Sequence, residues 1–584
     1  MFSNRTVLVV SLVAFALLAI PVAMLAIGIS LFPSLGTTTF SFAQFIEMPS
    51  TLTLVENTLE FSVVSAIFTT IFATTYAWFI ARTDVYGKRF LELLPVLGLT
   101  VPLLFKAFAW AFLANPHVGV LNQLLQKAFG PGFPVIDIYS MAGLIFVQSF
   151  TNVPIVYLIA LPALKSMDST LEEASRISGR GVLATFWEVT FPVVRPAVLS
   201  AFILAIIGGV GGLEYPFILG IPGRVHTLST EVYFWAQERV PPAYGSAGII
   251  SIIYAIITLV LVTLFIWATR RSFKFQVVTG KAVSTNIQRL GRKRYLALAI
   301  CLTIVFFEFI LPFVTLLLMS TTTIYGSDLN NVQVNFPNSF VNAFKIPGIF
   351  KALDNSFYFG VAAALLATIV GSLLSYASLR SKSRGARFAD YVSAIPLSFP
   401  GVVYGVALFW TFLLVPGLDL IYGTIWPLVI SLVFIRLPFS TRIISANMVQ
   451  ISNELEEASQ VAGAGFFRTF TRIVGPLINN GLFNSVIYTF VDSLRELGGV
   501  VILATAQSTT FTVLLFQYYD SSSIGGLRAF DTVAAASVTF TALIAVFLAA
   551  AAVVRRYYSR KWERPAQVAR QDISSSKTDE AVPR

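Results

Sequence analysis

The sequence predicts an all-α membrane protein of about twelve transmembrane helices, arranged as two parallel six-helix repeats, and three observations carry that prediction. Hydrophobic residues fill 56% of the 584 positions and charged residues only 12%, where soluble chains carry roughly 25% charged residues. Apolar runs repeatedly reach the about 20 residues that a helix needs to cross the hydrocarbon core, too long for the alternating strands of a membrane β-barrel. Finally, "LEEASRISGRGVLATFWEVTFPVVRP" from Leu171 returns as "LEEASQVAGAGFFRTFTRIVGPLINN" from Leu455, identical at ten of 26 aligned positions, which marks an internal repeat.

The apolar runs place the twelve spans at 7–31, 57–80, 91–114, 139–163, 193–219, 247–268, 297–319, 355–379, 391–415, 424–446, 477–504 and 531–553. The first follows Arg5 as a signal peptide would, but it exceeds the 7–15 apolar residues of such a segment and reads as a retained helix. Residues 1–268 form the first domain, 269–296 a basic linker, 297–554 the second domain and 555–584 a basic and polar tail. The repeat extends beyond the quoted stretch: Asn57 recurs as Asn355, Tyr76-Ala77 as Tyr376-Ala377, and Gly87, Phe90 and Pro102 as Gly385, Phe388 and Pro400. Six crossings per half leave both halves in the same orientation, related by an axis along the membrane normal. Cys301 stands alone within an apolar run, so no internal disulfide or cysteine cluster is available.

A net charge of +11 would suit nucleic acid if it were clustered on a folded surface, but its distribution follows the membrane. With the N-terminus inside, the inner segments hold most Lys and Arg, including "RRSFKFQVVTGKAVSTNIQRLGRKR" (270–294) and the tail from Arg555. The outer loops hold only Lys127, Arg224, Arg239, Lys345, Lys351 and Arg528. This asymmetry puts both termini in the cytoplasm of a multi-pass plasma-membrane protein, with membrane lipid rather than nucleic acid as the surrounding partner.

Both repeated stretches then face the cytoplasm, between the fourth and fifth span of each half. Leu171, Ala174, Ile177 and Gly181-Val182, matched by Leu455, Ala458, Val461 and Gly465-Phe466, give a short helix one apolar stripe. Ser169 and Asn453 precede Glu172 and Glu456 by three residues, capping-box spacing, so the first glutamate is expected to cap the helix and the second, Glu173 or Glu457, to serve another purpose. Gly179 and Gly463 end the helix where positive φ is useful, and Pro192 and Pro476 mark the return. A helix this short is marginal alone in water, so its stripe needs a cover: another part of the chain, or a separate subunit. Two copies of one socket favour a partner with two-fold symmetry.

The loops resemble the E-A-A, three residues, G, nine residues, I-x-L-P pattern of permease subunits of binding-protein-dependent (type I) ABC importers. Glu173-Ala174-Ser175 and Gly179 precede Val189, Phe191 and Pro192; Glu457-Ala458-Ser459 and Gly463 precede Ile473, Gly475 and Pro476. Both halves carry the match, so the chain resembles the fused form with two permease domains. The resemblance implies coupling helices at 169–192 and 453–476 seated on two copies of a cytoplasmic ATP-binding subunit, and an extracytoplasmic solute-binding protein that delivers substrate. Serine replaces the second alanine in both loops, and Gly475 and Asn480 depart from the pattern in a way that loosens the second exit. Ser178 and Ala462 stand where carbohydrate importers resemble E-A-A-x-x-D-G. "IPLSFPGVVYG" (395–405) and "FVDSLRELGGVVIL" (490–503) are similar instead to the branch for ferric iron, thiamine, polyamines or phosphonates.

ATP and Mg are expected in the partner, since "VVTGKAVST" (277–285) fails as a phosphate loop: Phe275 replaces its first glycine and Ala282 follows Lys281. "GGVGGLE" (208–214) lacks the G-x-G-x-x-G spacing and reads as close helix packing. His117 and His226 read as surface residues, and no metal site is expected. Ionisable groups in hydrocarbon cost about 2.5–3.5 kcal/mol each, so each needs a passage or a partner. Asp492, Arg495 and Glu496 share one helix face by their spacing, either lining a passage or pairing among themselves. Glu214 lies near the equivalent depth of the fifth span. Asn152, Asn484, Arg436 and Lys106 are further candidates, the last two also explained by snorkelling to an interface. The rival readings are a sugar-type importer permease, an ion-coupled secondary transporter with parallel repeats, and a membrane scaffold.

Overall fold

The computed structural model describes residues 4–31, 40–272, 287–324, 332–380, 384–523 and 530–579. The central part of the linker, including 277–285, lies outside these described residues. Apart from an antiparallel pair of strands, Thr322–Ile324 against Val332–Val334, the regular structure among the described residues is helical. Among the described residues, seven helices are long and apolar enough to cross unbroken: Pro49–Arg82, Phe186–Gly211, Tyr244–Trp267, Gly291–Thr321, Ile349–Arg380, Trp426–Met448 and Phe530–Arg555. The first apolar run forms the helix Asn4–Leu31.

The remaining runs correct the expectation of uniform single helices. The third and ninth are bent pairs, Lys88–Thr100 with Leu103–Leu113 at 93° and Phe388–Ser398 with Gly401–Leu414 at 103°. The cause is the repeated Pro102 and Pro400: a proline lacks an N–H and drives the preceding residue out of helical conformation. Val101 and Phe399 accordingly have ψ of 120° and 108°. The fourth bends by 42° between Met141–Thr151 and Val153–Lys165, just before Pro154. The fifth and eleventh break at matching positions, where Gly212 and Glu496 are extended, with ψ of 136° and 131°. Glu214 therefore lies beyond the end of its helix rather than within it.

The two sequence halves interlock. The first helix packs on the second half: Phe15 meets Phe388 at 5.5 Å between ring centroids, and Gly28 lies so close to Trp410 that a Cβ there would come within 2.4 Å of the indole. Reciprocally, Phe307 of the seventh span packs among Trp110, Phe146 and Phe150 of the first half. The described end of the linker is also fastened to the first half, with Gln288 N–H donating to Arg82 O at 2.9 Å and Asp84 N–H donating to Gln288 O at 3.1 Å.

Repeated residues do repeated work when the register is kept. Asn57 donates to His226 O at 2.9 Å, and Asn355 donates to Gln507 O and Thr509 O at 3.0 and 2.9 Å. Tyr76 and Tyr376 are not equivalent: the first donates to Leu91 O and the second to Glu456. Asn57 and Asn355 are 298 positions apart and the two tyrosines 300, and a two-residue shift turns a helical side chain to another face. The true counterpart of Tyr376 is Trp78.

Candidate functional site

Each repeated loop contains a nine-residue helix, Ser169–Ile177 or Asn453–Val461. Asp168 and Ser452 cap them, accepting from Thr170 N–H at 3.0 Å and Glu454 N–H at 3.3 Å. The expected caps, Ser169 and Asn453, are instead the first helical residues. Moving the cap back by one makes Glu172 and Glu456 the fourth helical residue, out of reach of the cap backbone, so the capping-box role fails.

These glutamates turn inward and are buried. Glu172 Oε2 accepts from Arg82 Nε and Nη2 at 3.0 and 2.6 Å, and its Oε1 accepts from Thr190 Oγ1 at 2.6 Å. Arg82 also donates to Met167 O at 3.1 Å. In the second half Arg380 Nε donates to Glu456 at 2.7 Å, Tyr376 donates to its other oxygen at 2.7 Å, and Arg380 Nη2 reaches Met448 O and Ile451 O. The several N–H groups of the planar guanidinium reach a carboxylate and backbone carbonyls at once, so an arginine here ties together the last turn of one span, the chain entering the loop and the loop helix.

Gly179 and Gly463 end the helices at φ 82° and 78°, and Arg180 and Ala464 N–H close back on Ser175 O and Ser459 O at 3.3 and 3.1 Å. The serines in place of the second alanine have a structural role: Ser175 is hydrogen-bonded to Thr185 at 3.0 Å and Ser459 to Thr469 at 2.9 Å. Both exits then pass through a widened helical turn, Phe186–Thr190 and Phe470–Val474. The first continues unbroken, whereas the second is interrupted at Ile478 before Asn479–Arg495. The apolar stripe faces outward, with Ile177 88% and Val461 91% exposed. Ala174, Ala458 and Glu457 are exposed beside it and Glu173 is half-buried.

The second candidate zone lies within the spans. Arg436 bridges to Asp492 at 2.6 Å and also to Glu496, whose other oxygen accepts from Gly499 N–H at 3.0 Å. Arg495 lies 3.7 Å from Asp492, too far for a hydrogen bond, and its buried Nε has no partner. Glu214 is buried and accepts from Leu213 N–H at 3.2 Å. Lys106 does not snorkel: it is buried against Glu308 at 2.8 Å, between the third and seventh spans. Gly98 makes that possible, since a Cβ there would sit 1.8 Å from the Glu308 carboxylate. Arg436 likewise turns inward. Asn152 occupies the bend of the fourth span beside Gly208, and Asn484 is half-buried on the eleventh, two helical turns before Asp492.

Sequence reasoning missed Arg82, Arg380 and Glu308. The first two stand 298 positions apart, as Asn57 and Asn355 do, so the repeat register could have found them. Glu308, a lone acid inside an apolar run, carried the same signal that singled out Glu214. Among the described residues no three His, Cys, Asp or Glu side chains gather into a metal-binding group.

Residues 364–564 match the family described as "Binding-protein-dependent transport system inner membrane component". Over 492 residues the chain is 26% identical to a ferric transport system permease protein of Actinobacillus pleuropneumoniae, covering 82% of this chain and 69% of that one. It is 22% identical to an Fe(3+)-transport system permease protein of Haemophilus influenzae, over 81% and 86% of the two chains. One chain of a bacterial alginate ABC transporter matches with TM-score 0.35 and 19% identity, over 42% of this chain and 87% of that one, a likeness too low to carry an argument. The family match in the second half, the relatives that span both halves and the two loops of one geometry make this chain a fused, two-domain permease of the binding-protein-dependent ABC importers.

Proposed function

We propose that the permease takes ferric iron from an extracytoplasmic solute-binding protein and passes it to the cytoplasm by alternating access, powered by two copies of a cytoplasmic ATP-binding subunit seated on the loops at 169–192 and 453–476. Both termini face the cytoplasm in this reading, supported by the clustering of Lys and Arg on that side. Support for the ferric branch comes from the named relatives and from the carboxylates within or beside the spans, Glu214, Glu308, Asp492 and Glu496. Hard cations prefer oxygen ligands.

The single observation that carries the ATPase part is the pair of outward apolar stripes on helices whose other face is pinned by buried ion pairs. A helix of nine residues has no reason to hold Ile177 and Val461 in water unless another surface covers them. Within the spans, Lys106–Glu308 and Arg436 with Asp492 and Glu496 are ion pairs between different spans. Passage of a cation then requires carboxylates to exchange an internal partner for the substrate, and Arg495, the least satisfied of the three cations, is placed to receive a released carboxylate.

The test is uptake of radiolabelled ferric ion presented on its binding protein, by the permease and ATPase reconstituted in vesicles. Glu496→Gln is expected to lower uptake while leaving ATPase association intact. Normal uptake by a normally assembled variant rules out a role for that charge, and no uptake by the unsubstituted assembly rules out ferric iron.

A further inference from the structure

We propose that the second and eighth spans are double-ended struts, and that Arg82 and Arg380 are the positioning residues through which movement of each loop is transmitted to the segment following the central charged site. This rests on the reading that the loops dock on ATP-hydrolysing subunits. Pro49–Arg82 and Ile349–Arg380 are unbroken helices of 34 and 32 residues, about 50 Å long at about 1.5 Å per residue, enough to run the full depth of a bilayer.

Each is fastened by polar contacts at both ends, in the same register in both halves. At the loop end stand Arg82–Glu172 and Arg380–Glu456. At the far end Asn57 donates to His226 O while Thr58 Oγ1 accepts from Leu228 N–H at 3.0 Å. Asn355 donates to Gln507 O and Thr509 O while Ser356 Oγ accepts from Phe511 N–H at 2.8 Å. Those far contacts hold the chain shortly beyond Glu214 and Glu496, where the fifth and eleventh spans have broken. Apolar packing would suffice to stabilise a helix in place, but it would let the helix slide. Directional bonds at both ends of a stiff element fix its length and transmit displacement.

The experiment uses the complete assembly with binding protein and ATPase, and conservative variants that keep the charges paired. Arg82→Lys keeps the charge but loses the paired N–H contacts that hold Glu172 at the loop end, and Thr58→Val removes the acceptor for Leu228 at the far end. Each is expected to lower solute moved per ATP hydrolysed about fivefold, with ATPase association and basal hydrolysis unchanged, a coupling loss of the size seen for residues in a transmission chain. The double variant is expected to be no worse than the poorer single one, because a strut released at one end transmits nothing more to lose. An unchanged ratio in the two single variants, or losses that multiply in the double, overturns the strut. An ATPase that does not copurify with the unsubstituted chain overturns the docking reading, and with it the strut's input.

Discussion

The two loop anchors satisfy the second oxygen of the glutamate from different sides, and the difference shows what the anchor requires. In both halves an arginine at the end of a long span holds the loop glutamate, and an aromatic residue of that span packs edge-on against the first residue of the widened turn: Trp78 on Phe186 at 5.5 Å, Tyr376 on Phe470 at 5.9 Å. In the first half the glutamate's other oxygen is satisfied by Thr190, on the return helix. The second half has Val474 at that position, buried and without a hydroxyl, and the bond comes from Tyr376 across the site. What persists is the demand of a buried carboxylate for a donor on each oxygen; the donor itself moves from one wall to the other.

The largest effect expected from breaking this pattern is the removal of an arginine. Arg82→Gln and Arg380→Gln each leave a buried glutamate without its cation, at about 3–5 kcal/mol, read as lost yield and lowered melting temperature in detergent. Adding Glu172→Gln or Glu456→Gln should recover most of that stability. If either single variant melts like the parent, the arginine is not the anchor in that half. Next comes Lys106→Met, which strands Glu308 at similar depth and costs about 3 kcal/mol or more. Lys106→Met with Glu308→Gln should recover folding yet not transport, which separates this pair from the loop anchors.

A smaller effect sharpens the comparison directly. Thr190→Val should cost about 2 kcal/mol, the range for a bond to a charged group. Adding Trp78→Tyr should return about half of that by building the second half's arrangement in the first. Melting of the three variants checks it, and a Trp78→Tyr that only destabilises would show that the two walls are not interchangeable.

How much of this was legible varied with the range of the interaction. Helical class, span order and the glycine turns at Gly179 and Gly463 were readable because periodicity and positive φ are local properties. The bends at Pro102 and Pro400 were hidden because both pieces of each bent span are apolar, and run length does not register direction. The role of Glu172 hung on one residue: Asp168 and Ser169 are both good caps, and contact with Arg82, 90 positions away, favours the earlier one. Helical spacing put Asp492, Arg495 and Glu496 on one face, but it sees only neighbours on one helix, and Glu496 lies where that helix has ended. The cation that holds both carboxylates is Arg436, from another span.

The smallest structural effect is expected where the two halves agree most. Ile177 and Val461 occupy the same position before Gly179 and Gly463 and are both almost fully exposed. Ile177→Ser and Val461→Ser therefore remove no packing within the chain, and stability should stay within about 0.5 kcal/mol of the parent. Against the proposed ATP-binding subunit the same side chains would be buried, and losing one should cost about 1.5–3 kcal/mol, roughly a tenfold or greater drop in affinity. Titrating the purified ATPase onto each variant measures this. Equal losses place both loops in equivalent sockets. A loss in one loop alone would mean that the interrupted exit at Ile478 presents the second helix differently, and unchanged binding in both would remove the stripe from the interface.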